Sequence, residues 1–317
     1  MTTRDRAAGR AGAEATTVPA LALRGVVKRY GEITAVDGLD LTVPAGTCLG
    51  LLGPNGAGKS TTMRMITAQT RADSGEIDVL GFAVPRQSKR ARAVMGVVPQ
   101  LDNLDEELTA RQNLEVFAQL YRIPRGRRAQ AVHRALRLAQ LDRRAETKTD
   151  ELSGGMRRRL LIARGLVHSP RLMLLDEPTV GLDPQVRQEL WALIDALRAE
   201  GVTVLMSTHY IEEAERLADD VAVMSRGRVV AHGKPDDLRD EHAGREVLEY
   251  YGPPHRLSEV ETIAVDAGLV TRRTGPSVSV LRAELMPEAT AARLGGGHRR
   301  VSNLEDVFVS LTGEVVE

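Results

Sequence analysis

Eight consecutive residues, Gly53-Pro54-Asn55-Gly56-Ala57-Gly58-Lys59-Ser60, have the composition that a phosphate-binding loop requires. Glycines let backbone N–H groups close around phosphate oxygens with no Cβ in the way. A helix opening near Gly58 turns the positive end of its dipole toward the same phosphates. Lys59 reaches the β and γ phosphates, and the Ser60 hydroxyl is a ligand for Mg²⁺. Thr61 is placed to help with the α phosphate. With ordinary residue frequencies, the four fixed positions coincide by chance in about one chain in a hundred of this length. Here the loop also follows an apolar strand-like run, Thr47–Leu52, and opens a helix-like stretch.

A second stretch completes the chemistry. The apolar run Leu172–Leu175 delivers Asp176 to the carboxyl edge of a sheet, where its carboxylate can hold the Mg²⁺ shell. Glu177 follows at once and can orient and polarise an attacking water. Two acids at a strand end also suit a solvated terminus; it is the phosphate loop upstream that gives them a task. A third stretch, Leu152-Ser153-Gly154-Gly155-Met156, places a serine and two glycines at a helix start. That is a capped helix N-terminus, and equally a second anion site.

These residues need elements to position them. Leu21–Lys28 and Gly38–Val43 read as short strands broken by Gly and Pro. Val94–Val98, Leu172–Leu175, Val202–Ser207 and Val221–Met224 are apolar runs of buried-strand length. Pro184 to Ala199 is the clearest helix, with Val186, Leu190, Leu193, Ile194 and Leu197 on one face. Asp183 suits its N-cap, Pro184 its first position and Gly201 its end. Strands alternating with helices predict an α/β core with a mainly parallel sheet. Residues from about 103 to 150 hold helical patterns and no convincing strand, so a helical insertion is expected, reaching to about 165. After about 240 the composition shifts. Gly252-Pro253-Pro254 marks a break, Ser277–Leu281 is a strand candidate, and Leu304, Val307, Phe308 and Leu311 share one helix face. Residues 241–317 thus read as a small α+β appendage, and residues 1–19 as a disordered tail.

Bulk properties exclude several functions. Of 317 residues, 42 % are hydrophobic, enough for a large domain and a small one. Lys plus Arg equals Asp plus Glu at 43 each, so no global basic field draws the chain to nucleic acid. Aromatics at 3 % argue against a base-stacking platform. The single cysteine, Cys48, cannot form an internal disulfide and reads as a buried, inert thiol in a reducing cytoplasm. No stretch approaches the ~18 apolar residues of a membrane span, and the first residues lack the apolar region of a secretory signal. If the protein works at a membrane, another chain supplies the span.

Ser153 and its neighbours resemble the signature motif of the ABC ATPases, with Met156 in place of the usual Gln. The order and spacing relative to Asp176 also fit. The resemblance covers about residues 20 to 240 and implies a P-loop fold with an antiparallel β subdomain and a helical subdomain. It implies ATP and Mg²⁺ as ligands. Further positions match residue by residue. Gln100 matches the Q-loop glutamine, a contact for Mg²⁺ or water. Asp183 matches the D-loop aspartate, His209 the switch histidine at the γ-phosphate, and Tyr30 the aromatic that stacks on adenine. The family pairs two chains head-to-tail, so Ser153, Gly154 and Gly155 of one chain would meet the γ-phosphate held by the other. VVPQLDNLDEELTARQNL, THYIEEAERLADDVAVMSRGRVVAHG and NLEDVFVSLTG are similar to stretches in ABC-2-type exporter ATPases, including the nodulation-factor export and daunorubicin or multidrug-resistance groups. That implies ATP hydrolysis at the inner face of the membrane, coupled to a separate permease. An importer ATPase, a soluble ABC ATPase acting on ribosomes or DNA, and a small-molecule kinase are the rival readings. The cargo is not encoded, because the ATPase never needs to touch it.

Overall fold

The computed structural model describes residues 18–312. The tail expected over residues 1–19 falls almost wholly outside them. The chain opens with an antiparallel hairpin, β1 (Leu21–Tyr30) and β2 (Ile33–Val43). β3 (Cys48–Leu52) runs into the loop that precedes α1 (Lys59–Ile66). β4 (Ser74–Val79) and β5 (Phe82–Val84) then return to the hairpin, giving a four-stranded antiparallel sheet in the order β2-β1-β4-β5. α2 (Ser88–Val94) leads to β6 (Met95–Val98).

Next come α3 (Ala110–Leu120), α4 (Arg125–Leu138) and α5 (Gly154–Leu166). They pack a core of their own around Leu114, Val132, Leu136 and Leu160. A capping box starts α3: the Thr109 side chain accepts from the Gln112 backbone, and the Gln112 side chain accepts from the Thr109 N–H.

The main sheet is completed by β7 (Leu172–Asp176), β8 (Thr203–Thr208), β9 (Asp220–Ser225) and β10 (Arg228–Gly233). Between them lie α6 (Pro184–Ala199) and α7 (Ile211–Leu217). Its order is β10-β9-β3-β8-β7-β6, and every pairing is parallel except β9 with β10. All residues of β3 and β8 are buried, which is why Cys48–Leu52 and the Val204–Met206 centre of β8 run apolar rather than alternating. Leu49 and Leu51 face one core, with Met65 and the antiparallel sheet. Cys48, Val204 and Met206 face the other, with Leu190, Ile194 and Leu197 of α6. Burial pushes the Cys48 thiol up to about 12, so it stays protonated.

The expected strands all form; the largest displacement is in β2, which begins at Ile33 rather than Gly38, and α6 has the expected bounds. One local expectation fails. Asp183 occupies the N-cap position, but its side chain makes no capping hydrogen bond and is exposed. Pro184 at the first position removes one N–H that would otherwise need a partner.

Residue 240 lies inside α8 (Pro235–His242). Beyond it are β11 (Glu246–Tyr251), α9 (Pro254–Asp266), β12 (Thr271–Thr274), β13 (Ser277–Val280), α10 (Glu288–Leu294), β14 (His298–Val301) and α11 (Leu304–Thr312). The four strands form an antiparallel sheet, β12-β13-β11-β14, with α9 packed on it through Leu257, Val260 and Ala264. Gly252-Pro253-Pro254 is the turn from β11 into α9. The expected apolar face of α11 exists, but it does not join the appendage core. Leu304, Val307 and Phe308 pack with Leu52, Val221 and Val223 of the main sheet and Leu238 of α8. The opposite side of α11 carries Asp306, fully buried, which pairs with Arg272 at 3.1 Å and Arg300 at 2.6 Å. One helix thereby ties the appendage sheet to the main sheet.

Candidate active site

β6, β7, β8 and β3 are consecutive neighbours and run parallel, so their carboxyl ends open on one edge of the sheet. That edge is where α/β sheets bind ligands. The sequence places Gln100 after β6, Asp176 and Glu177 at the end of β7, His209 after β8 and the loop 53–58 after β3. The topology alone brings these separate stretches together.

Their side chains converge on Glu177. Gln100 Nε2 donates to Glu177 Oε2 at 2.9 Å. His209 Nδ1 lies 3.3 Å and Lys59 Nζ 3.6 Å from Glu177 Oε1. Lys59 and Glu177 are only 4 % and 6 % exposed. A buried charge pair needs further hydrogen bonds to offset its lost hydration. Lys59 Nζ finds them on the carbonyls of Gly53 (2.7 Å) and Pro54 (3.0 Å). Burial holds Lys59 below the usual lysine value, and the charges of Glu177 and Asp176 oppose that shift. Glu177 has φ +46°, in the left-handed region. Its N–H is shared between the carbonyl and the hydroxyl of Ser207, each at 3.1 Å.

Asp176 sits beside this cluster. Its Oδ1 accepts from Ser60 Oγ at 3.2 Å and from Ser207 Oγ at 2.5 Å. A hydroxyl and a carboxylate at one point are hard oxygen donors, the kind Mg²⁺ prefers. Among the described residues no group of three or more His, Cys, Asp or Glu could cage a metal ion. A Mg²⁺ held by one carboxylate, one hydroxyl and substrate phosphates fits this donor set; a metal bound by protein alone does not.

The loop itself is shaped by close approach. Gly58 has φ +104°, and a Cβ there would lie 2.4 Å from the Ala35 carbonyl oxygen. Only glycine fits, and it lets the chain turn into α1 with its first N–H groups free. Asn55 and Gly56 are exposed, while Ala57 is buried against the Met65 and Ala222 core. Thr61, the third residue of α1, is half-buried.

Four other anticipated residues, and Tyr30, do not join the cluster within this chain. Ser153 and Gly154 are exposed at the start of α5, where Ser153 Oγ accepts from the Met156 N–H at 3.3 Å. Gly155 is buried, and a Cβ there would meet Val186 Cγ1 at 2.4 Å; at Gly154 nothing lies within 4 Å. Asp183 is exposed before α6. Tyr30 closes β1, with 46 % of its surface exposed, Lys28 Nζ 5.1 Å from its ring and Thr70 Oγ1 3.5 Å from its hydroxyl.

Sequence reasoning passes over two residues here. Ser207, which serves both acids, reads only as the end of a strand. Arg158, whose guanidinium bonds the backbone on both sides of Glu177, lies within Arg157-Arg158-Arg159 and looks like part of a solvated helix face. Pattern analysis of α5 does offer one signal, because residue 158 falls on the turn above the buried Gly155.

A glycine-rich loop between β3 and α1, with acids at the end of a parallel strand two places away in the same sheet, defines a nucleotide-binding protein of the P-loop class. The comparisons narrow this. A family model described as ABC transporter matches residues 36–180. The Nod factor export ATP-binding protein I of Ralstonia nicotianae is 43 % identical over 94 % of this chain and 95 % of its own length. The protein of the same name from Mesorhizobium japonicum is 44 % identical over 96 % of this chain and 89 % of its own. Among solved structures, cbiO1 of Clostridium perfringens, part of an ABC transporter complex, aligns with TM-score 0.66 and 28 % identity over 70 % of this chain and 91 % of that one. A dimeric ATP-binding cassette in a post-hydrolysis state, bound to ADP and Pi, aligns with TM-score 0.61 and 30 % identity, covering 68 % of this chain and 98 % of that one. The chain belongs to the ABC transporter family, as an ATP-binding and ATP-hydrolysing subunit.

Proposed function

We propose that two copies of this chain, paired head-to-tail, hydrolyse MgATP to drive export through a separate ABC-2-type membrane permease. The observation that carries the reading is the convergence of Lys59, Asp176, Gln100 and His209 on or beside the buried carboxylate of Glu177. The names of the relatives, as export ATP-binding proteins, support the direction of transport. Among the described residues no helix is long and apolar enough to cross a membrane, consistent with a subunit held at the inner face by its permease.

The roles follow from position. Gly53 to Ser60 wrap the phosphates, with Lys59 bridging the β and γ groups and Thr61 near the α group. Ser60, Asp176 and Gln100 are the groups that would hold Mg²⁺. When bound, the ion neutralises charge on the β and γ oxygens. Glu177 accepts the proton of the attacking water; each carboxylate oxygen has lone pairs beyond those used by Gln100 and His209. His209 senses the γ-phosphate while holding Glu177 in place. Tyr30 offers an exposed ring for adenine. Ser153, Gly154 and Gly155 are unengaged with the chain's own cluster, and the helix start they form, exposed at Ser153 and Gly154, suits the partner's γ-phosphate. Asp183, also exposed, would sit at the same junction.

Glu177→Gln keeps the size and the Gln100 contact but removes the base. It is expected to bind MgATP, accumulate as a dimer on gel filtration and hydrolyse roughly 100-fold or more slowly. Hydrolysis at the wild-type rate would exclude Glu177 as the base. Copurification with a multi-spanning protein, and the direction of transport in vesicles, test the permease and exporter parts.

A further inference from the structure

Arg158 lies in the second turn of α5, on the helix that begins at Ser153. It is 8 % exposed. A guanidinium has five N–H groups in one plane and no acceptor. Here every one of the five has a carbonyl. Nε donates to Pro178 at 2.7 Å. Nη1 donates to Pro99 at 2.8 Å and Gln100 at 3.2 Å. Nη2 donates to Asp176 at 3.0 Å and Glu177 at 2.9 Å.

The five acceptors belong to two segments of the active site. Pro99 and Gln100 follow β6; Asp176, Glu177 and Pro178 end β7. Among the described hydrogen bonds, no other side chain bonds the backbone of both. The carbonyls before, at and after Glu177 are all held, and that is the residue whose backbone is left-handed. The same guanidinium fixes the backbone of Gln100, whose side chain bonds the Glu177 carboxylate. A surface-facing arginine would spend its donors on water or acids. This one is used wholly on catalytic backbone.

We propose that Arg158 is a positioning residue for ATP hydrolysis, locking the Glu177 and Gln100 backbones to the helix whose first turn faces the partner's nucleotide. The inference rests on the roles given above to Glu177, Gln100 and Ser153. Its consequence is mechanical. When Ser153 to Gly155 engage a phosphate on the opposite chain, any rotation of α5 reaches the Glu177 carbonyls through one rigid planar group. The two nucleotide sites are thereby linked inside each chain, and not only across the interface.

Arg158→Lys keeps the charge, but a single ammonium with three donors cannot span five carbonyls on two segments. The full chain is assayed by single-turnover hydrolysis and by MgATP titration, in the wild-type and Glu177→Gln backgrounds. In the wild-type background Arg158→Lys should slow hydrolysis about tenfold or more while changing nucleotide affinity less than about threefold. In the Glu177→Gln background it should slow the residual rate less than about twofold, because the group it positions is already gone. Equal slowing in both backgrounds, a loss of affinity in place of rate, or a wild-type rate overturns the proposal. Arg158→Gln is measured in the same way if the lysine variant does not fold. The Glu177→Gln chain alone reports on the base: a wild-type rate there fails the reading of Glu177, whatever Arg158→Lys does.

Discussion

Glu177 combines a left-handed backbone with a buried carboxylate, and neither is stable without help. A non-glycine residue held there costs on the order of 1–3 kcal/mol. Ser207 at its N–H, Arg158 at its carbonyl, and Lys59, Gln100 and His209 at its carboxylate supply that help. The two glycines of α5 show how different neighbouring positions are at this scale. Gly155→Ala would drive a methyl group to 2.4 Å from Val186, so α5 or α6 must shift. We expect it to cost about 1–3 kcal/mol, visible as a lowered thermal midpoint. Gly154→Ala meets nothing within 4 Å and should melt like the wild type. In the Glu177→Gln background the proposed docking of the partner's phosphate at Gly154 predicts that the methyl group nonetheless weakens MgATP-dependent dimerisation. Unchanged dimerisation by gel filtration would count against Gly154 facing that phosphate.

At the scale of elements, the chain just past the ends of α3 and α5 is joined by a ring stack. Tyr121 and His168 are 3.6 Å apart at 5° between planes, and His168 Nε2 lies 3.1 Å from the Met95 carbonyl of β6. Burial pushes His168 from 6.5 down to about 4, against the pull of that carbonyl. Between those values the unfolded chain binds a proton that the folded chain refuses. Stability therefore falls as pH drops from 6.5 toward 4, by up to about 3 kcal/mol for this group. His168→Gln retains an N–H for Met95 and does not titrate. Its thermal midpoint should fall less steeply than the wild type's over that range; parallel curves would show that His168 is not the group responsible.

The same scale shows what the amino-acid pattern made legible. β3, β7, β8 and α6 were readable because burial on two faces, or on one helical stripe, leaves an unbroken or periodic apolar signal. β5, α2, β10, β12 and β14 were not. They are short, and β10 and β14 are edge strands whose residues are half-buried or exposed, so they carry little apolar bias. The site residues were legible where chemistry restricts residue type, as at Lys59 or Asp176. Ser207 and Arg158 act on backbone groups, and no motif spacing announces that. The direction of α11 was illegible for another reason: its apolar face names no partner.

For the whole molecule, α11 decides whether there are one or two cooperative units. Phe308 is fully buried between the main sheet and α8, and Asp306 holds two arginines of the appendage sheet. Phe308→Ala should cost roughly 3–5 kcal/mol. Because the helix belongs to both parts, urea unfolding followed by ATPase activity and by far-UV signal should remain a single shared transition at a lower midpoint. Separate transitions, with ATPase activity unmoved, would show an appendage that folds apart from the main sheet.

The packing of Phe308 against Leu52 also orders events in time. Leu52 leaves the ribosome long before Phe308, and translation at roughly 5–20 residues per second leaves a gap of tens of seconds. Throughout that gap the strand leading into the phosphate loop has an unfinished flank. A nascent chain thus holds all its nucleotide-binding residues well before it holds a completed scaffold for them. Completion of that flank waits for α11, so the apolar cluster around Leu52 closes only once the helix has been made.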